Sequence, residues 1–254
     1  MSTRRTADIV LCLDASASMG PCIDAVRKHL GDFVDGLSGD AQVRWDLRFD
    51  FLAHAAGETS GGAGVFNFSC LKASQLDLIE ALYEQGKQRD VFFTRDLDEL
   101  KRGLARIEVG GDEAQLIALD TTLAFPWRAA TACHRVVIML TDEALETGVC
   151  VKEQLDQIEA LIEKLHKLRV ILFLVAPSSD AFDRLCAADK SEFMVVDEPH
   201  NGLSKVSFSE VLASIGKSVS VSALQGAASN GTSARRALFG QDKWGSTSQA
   251  IRGS

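Results

Sequence analysis

No segment of this chain is apolar for long enough to cross a bilayer, and the arginines of "MSTRRTADIV" precede no apolar stretch of signal-peptide length. A cytoplasmic location is the expectation. Basic residues are in deficit: 27 Lys and Arg stand against 35 Asp and Glu, for a net charge of -8. So acidic a chain disfavours non-specific binding to nucleic acid or an anionic membrane, and it is compatible with attracting cations. The six cysteines (Cys12, Cys22, Cys70, Cys133, Cys150 and Cys186) show no C-x-x-C pairing. Their scatter argues for reduced, mostly buried thiols over a zinc site or disulfide scaffold. A glycine-rich P-loop with its lysine, H-E-x-x-H and G-x-S-x-G are all missing. The five histidines (His29, His54, His134, His166 and His200) are dispersed, as surface or structural side chains are.

With 46% hydrophobic and 24% charged residues in 254, the chain can bury one sizeable core. Residues 8–13 read as a strand buried on both faces, because Ile9-Val10-Leu11-Cys12-Leu13 is continuous rather than alternating. Pro21 then opens a helix whose apolar face is Ile23, Val26, Leu30, Phe33, Val34 and Leu37. "VRWDLRFDF" alternates, which predicts one covered and one wetter face, and "GETSGGAG" joins it to "VFNFSCL" as a hairpin. Helices are expected over 76–83, over 97–107 behind an Asp96/Glu99 capping box, and over 114–124. "RVVIML" and "RVILFLV" are further buried strands, separated by one helix with Val151, Leu155, Ile158, Ile162 and Leu165 on its inner face. A helix near 181–187, the strand "FMVV" and a helix carrying Phe208 to Val219 follow. Buried strands alternating with amphipathic helices predict an α/β fold: a doubly wound, mostly parallel central sheet, helices on both faces and one antiparallel edge strand.

After Ser220 the periodicity fades into a Ser-, Gly- and Ala-rich stretch, so the expected division is a folded domain over 7–219 and a flexible tail over 220–254. The tail carries a net +3 and leaves -11 on the body. Within it, "ARRALFGQDKW" is a basic and aromatic cluster that could dock on a partner or fold back on the body.

Three loops expected at the carboxyl ends of the strands carry oxygen donors: Asp14, Ser16 and Ser18 in "DASASMG", "GGDE" (110–113), and "TDE" (141–143). In an extended loop alternate residues turn the same way, so Ser16 and Ser18 could aim hydroxyls at an ion beside Asp14. Convergence of the three loops would make a pocket of hard oxygen ligands suited to Mg2+ or Mn2+. Each residue also has a plainer role: Asp14 could cap a turn, Ser16 or Ser18 the helix that follows, and Thr141 could simply end a strand. Glu113 and Glu143 read as solvated or as neighbours of ligands, and Asp24 as surface.

Asp-x-Ser-x-Ser in "DASASMG", with Asp142 ending the strand in "VVIMLTDEA", resembles the metal ion-dependent adhesion site of the von Willebrand factor A (VWA) family. The resemblance covers roughly residues 7–219 and implies a Rossmann-like VWA fold. Where that family's second loop usually offers a threonine, this chain has Asp112 in "GGDEAQLIALDTTLAFPWR", similar to many bacterial members with a Gly-Gly-Asp loop before a helix and a Pro-Trp-Arg turn. Thr121 and Thr122 are the alternative second-loop donors. The resemblance thus implies Asp14, Ser16, Ser18, Asp112 and Asp142 as metal ligands. It also implies a non-enzymatic module that recruits an acidic group of a partner protein. For bacterial intracellular members, the implied partners are kinases, phosphatases or AAA-type ATPases in signalling, stress-response or defence systems. The competing readings are a metal-dependent phosphatase or hydrolase on a similar scaffold, and a metal-free scaffold. An aspartyl-phosphate enzyme would want a second acid two residues after Asp14, and that position is Ser16.

Overall fold

The apolar run predicted as the first strand lies at the middle of a six-stranded sheet, β1 (Thr3–Asp14), flanked by β2 (Val43–Glu58) and β4 (His134–Leu140). The structure, a computed structural model, describes residues 3–37, 43–58, 64–73, 75–83, 91–188, 190–196, 199–201 and 203–225. The remaining strands are β3 (Gly64–Cys70), β5 (Val170–Pro177) and β6 (Ser191–Val196), and the spatial order is β3-β2-β1-β4-β5-β6. Every neighbouring pair is parallel except β2 with β3, which form the hairpin read from the glycine-rich turn. A doubly wound, mostly parallel sheet with one antiparallel edge is therefore present as predicted.

Alternation along β1 divides the core. Ile9, Leu11 and Leu13 face a layer made by α1 (Gly20–Leu37), α3 (Leu97–Leu104) and α8 (Phe208–Gln225). Val10 and Cys12 face the other, made by α2 (Gln75–Tyr83), α4 (Gln115–Leu123), α6 (Ile158–Leu168) and α7 (Asp180–Leu185). A strand covered on both faces has no polar positions to spare, which is why its sequence is continuous. Among the described residues no helix is long and apolar enough to cross a membrane. Five of the six cysteines are buried and Cys150 is half-buried, all as free thiols.

Three expectations change. The single helix between β4 and β5 is two: α5 (Val151–Asp156) ends at Gln157 and α6 starts at Ile158. In the first of them the buried Gln154 turns inward, where its Oε1 accepts the Leu116 N–H at 2.8 Å and its Nε2 donates to the Val149 carbonyl at 2.7 Å. Ala114, at the start of α4, has no side chain able to cap, so Gln154 satisfies that helix end from a distance. The wetter face of "VRWDLRFDF" closes over at Asp50, which is fully buried and accepts the N–H groups of Phe51, Leu71 and Phe93 at 2.8 to 3.1 Å. Burial pushes its pKa up to about 6 against the pull of those three donors. Finally, Glu99 does not close the predicted capping box. Asp96 accepts the Asp98 N–H, while the Asp96 N–H is taken by Thr94, whose hydroxyl donates to Glu99. Helix α8 runs on to Gln225, and the "ARRALFGQDKW" cluster lies outside the described residues.

Candidate metal centre

β1 sits where the strand order reverses: the chain leaves it towards β2 and later returns to its other side as β4. The carboxyl ends of two such strands frame a crevice. Asp14 is the last residue of β1 and Asp142 lies two residues past β4, and both are fully buried. The Ala15 N–H donates to the His54 carbonyl at 2.8 Å, and the Ser16 N–H folds back to Asp14 Oδ1 at 2.7 Å. One oxygen of Asp14 therefore does cap a turn, and that turn lifts the loop off the sheet. Ser16 occupies the cap position of the short 3-10 turn Ala17–Met19, yet its hydroxyl makes no capping bond. Instead it lies 3.2 Å from the Ser18 hydroxyl, which donates to Asp142 Oδ1 at 3.1 Å. Thr141, fully buried, donates its hydroxyl to Asp14 Oδ2 at 2.8 Å. It holds the carboxylate in place, a role its strand-end position left open.

Asp14, Ser16, Ser18 and Asp142, spread over 129 residues of sequence, are thus one hydrogen-bonded set. Adjacent oxygens around an octahedral Mg2+ at 2.0 to 2.1 Å stand about 3.0 Å apart. The 3.2 and 3.1 Å separations of the Ser16, Ser18 and Asp142 oxygens are close to that edge, so the donors present are compatible with a small hard cation once the Ser18 hydroxyl turns its proton away from Asp142. Burial pushes the Asp14 pKa up to about 6, and the charge of Asp142 adds to the push. The Ser16 N–H and hydroxyl and the Thr141 hydroxyl resist it. All of these donors to Asp14 are neutral. Among the described residues no group of three or more His, Cys, Asp or Glu side chains is arranged to hold a metal, and this set is two carboxylates with two hydroxyls.

The second loop contributes a different residue from the one expected. Asp112 is exposed, and it is its backbone that is tied in, pairing with Ala56 of β2 through N–H···O bonds of 2.7 and 2.8 Å. The next residue, Glu113, is buried and bonds to Ser16 and Glu143. Burial raises its pKa strongly, and the negative charges of Asp14 and Glu143 add to the effect. Glu143 pairs in turn with His200, whose N–H donates to the Asp142 carbonyl at 2.8 Å. Gly111 makes this approach possible: it sits at φ +88°, and a Cβ there would stand 2.6 Å from the Ala56 carbonyl oxygen. Gly110 donates its N–H to the Ala15 carbonyl at 2.7 Å, which locks the second loop to the first. Thr121 and Thr122 stay away from the site, their hydroxyls bonded back to Ile117 and Ala118 within α4. Asp24 is a surface residue paired with Arg27 at 2.8 Å.

The sequence missed the burial of Glu113, because Asp112 and Glu113 are both acids after a glycine pair and only the β2 pairing decides which one turns inward. It also missed His54, opposite Asp14 in the register, which is fully buried with both ring nitrogens unbonded among the described residues. Burial lowers its pKa to about 3, so the imidazole is neutral.

No family model matches the chain, and no curated relative matches it. Among solved structures it is similar to a von Willebrand factor type A protein from Catenulispora acidiphila, at 15% identity and a TM-score of 0.49, over 84% of this chain and 43% of that one. It is also similar to proximal thread matrix protein 1 from the mussel byssus, at 18% identity and a TM-score of 0.47, over 82% of this chain and 46% of that one. The chain spans less than half the length of each of these proteins.

Proposed function

We propose that this chain is a non-enzymatic protein-binding module that works with a divalent cation, Mg2+ or Mn2+. The observation that carries the reading is the hydrogen-bonded set of Asp14, Ser16, Ser18 and Asp142 at the switch point of the sheet. Asp14 and Asp142 supply negative charge, the two serines supply neutral oxygens, and Thr141 fixes Asp14 through its second oxygen. Held by only two carboxylates, a bound Mg2+ or Mn2+ would remain electrophilic enough to accept a carboxylate from a partner protein. A cytoplasmic setting with a kinase, a phosphatase or an AAA-type ATPase as partner belongs to the same proposal.

Calorimetric titration with MgCl2 and with MnCl2 tests it, followed by partner capture from cell extract with Mg2+ and with EDTA. The expected result is saturable 1:1 binding that is lost in a folded Asp14→Asn variant, and capture that EDTA abolishes. Unchanged cation binding in Asp14→Asn, or capture indifferent to EDTA, would overturn the reading. Turnover of a phosphoester that Asp14→Asn abolishes would replace it with the enzymatic one.

A further inference from the structure

On the face of the sheet that carries α3, a cavity of about 310 Å3 opens between β2, the segment that follows β3 and the end of α3. That volume reaches the lower range of ligand-holding clefts. Phe51 and Leu71 contribute apolar walls, while Ser69, Lys72 and Arg106 contribute polar ones. Arg106 spends one donor on the Leu71 carbonyl, from Nη2 at 3.2 Å, which pins the guanidinium at the cavity and leaves donors over. The Lys72 ammonium forms a long ion pair with Glu99 Oε1 at 3.9 Å, while the other Glu99 oxygen accepts from Thr94. Two cations thus share one concavity in a chain whose net charge is -8.

The cavity is close to the candidate metal centre. Ile107 lines it, and three residues later Gly110 is bonded to Ala15, the neighbour of Asp14. Three Cα steps span at most about 11 Å, and the crossing from Gly110 to Ala15 and on to Asp14 brings the upper bound to about 20 Å, which an extended peptide covers in about six residues. In sequence, between Ile107 and Gly110, lie the exposed Glu108 and Val109, the latter an apolar side chain left 44% exposed.

We propose that the Lys72/Arg106 cavity holds acidic side chains of the same extended partner segment whose carboxylate reaches the Asp14 site. The inference rests on the function proposed above and adds a sequence rule for the partner: a second acid within about six residues of the first. Charge complementarity selects the occupant, because the guanidinium fork and the ammonium are matched by carboxylates.

The test is fluorescence anisotropy of fluorescein-labelled hexaglutamate against the full chain in low salt with Mg2+, with hexaglutamine as the uncharged control. Saturable binding of hexaglutamate alone is expected. Lys72→Gln/Arg106→Gln should weaken it about tenfold or more, as expected for losing two charge-assisted contacts, while the Mg2+-induced rise in Tm stays unchanged. Lys72→Gln alone, which touches no backbone group, should weaken it several-fold and guards against misfolding of the double variant. Equal binding by the double variant, equal binding of hexaglutamine, or no saturable binding of hexaglutamate would overturn the proposal. If Asp14→Asn abolishes binding and the charge variants do not, the cavity falls and the metal reading stands. If the charge variants abolish binding and Asp14→Asn and EDTA do not, the metal reading falls and the cavity remains as an anion site.

Discussion

The two ends of β1 each bury an aspartate, and they treat it in opposite ways. Asp8, near the amino end, accepts from Arg48 Nε and Nη2 at 2.8 and 2.6 Å, and from the Arg128 N–H and Nε at 2.8 and 2.7 Å. Burial opposes its charge, but the two guanidinium groups outweigh the burial and hold its pKa below the ordinary value. Asp14, at the carboxyl end, meets only neutral N–H and O–H donors and a second carboxylate, and its pKa is raised. A buried carboxylate is stable when its counter-cation is built in. At Asp8 the protein supplies the cation itself, which makes that end structural. At Asp14 the built-in partners are neutral, and the function proposed above has a cation come from outside.

The contrast is sharpest in stability. Asp8→Ala should lower the free energy of unfolding by about 3 kcal/mol in urea titration, since it removes the buried carboxylate shared by two half-buried guanidinium groups, of which Arg128 keeps Asp46. Asp14→Asn in the absence of divalent cation should change it by less than about 1 kcal/mol. The amide keeps an acceptor for Ser16, the Thr141 hydroxyl can reverse to accept, and the repulsion by Asp142 is gone. If Asp14→Asn proves as damaging as Asp8→Ala, the carboxyl end is structural as well.

Cation binding should favour only one end. At a hundredfold excess over Kd, Mg2+ should stabilise the protein by about 2.7 kcal/mol, seen as a higher Tm. Asp14→Asn should erase that increment. An Arg128→Lys variant at the other end should keep it even with a lowered starting Tm. A loss of the increment in both variants would mean that the two ends are not independent.

Acid should strike the other end first. Because the folded pKa of Asp8 is depressed, its contribution is fully present above the unfolded value of about 3.9 and is lost as pH falls through the folded pKa. Asp8→Asn should therefore flatten the loss of stability below about pH 4 in circular dichroism. Asp50, buried with a raised pKa, works in the other direction: stability falls as pH rises from about 4 to about 6, and Asp50→Asn removes its share of that slope, to which Asp14 also contributes. The smallest effect is expected on the rim. Asp112→Asn should leave stability within about 0.5 kcal/mol and Mg2+ affinity within about threefold, whereas Asp142→Asn should lower affinity more than tenfold.

The central strands were legible because burial on both faces writes a continuous apolar run, as in residues 9–13, 136–140 and 170–176. Asp14, Ser16 and Ser18 were legible because their spacing is local. The split at Gln157 was not, since the apolar face continues across it. Nor were Arg48 and Arg128, which come to Asp8 from 40 and 120 residues away. The Pro-Trp-Arg turn was visible as a motif, but its structural role was not.

By itself the sequence determined which segments are strands and helices, and that an acid and two hydroxyls follow the first strand. Period and spacing are properties of neighbours along the chain. Which acid has a cation, which hydroxyl is spent, and whether Asp112 or Glu113 turns inward were decided only by tertiary structure. These are questions of who stands opposite whom, and β1 receives its opposites from β2, β4 and the loops beyond them.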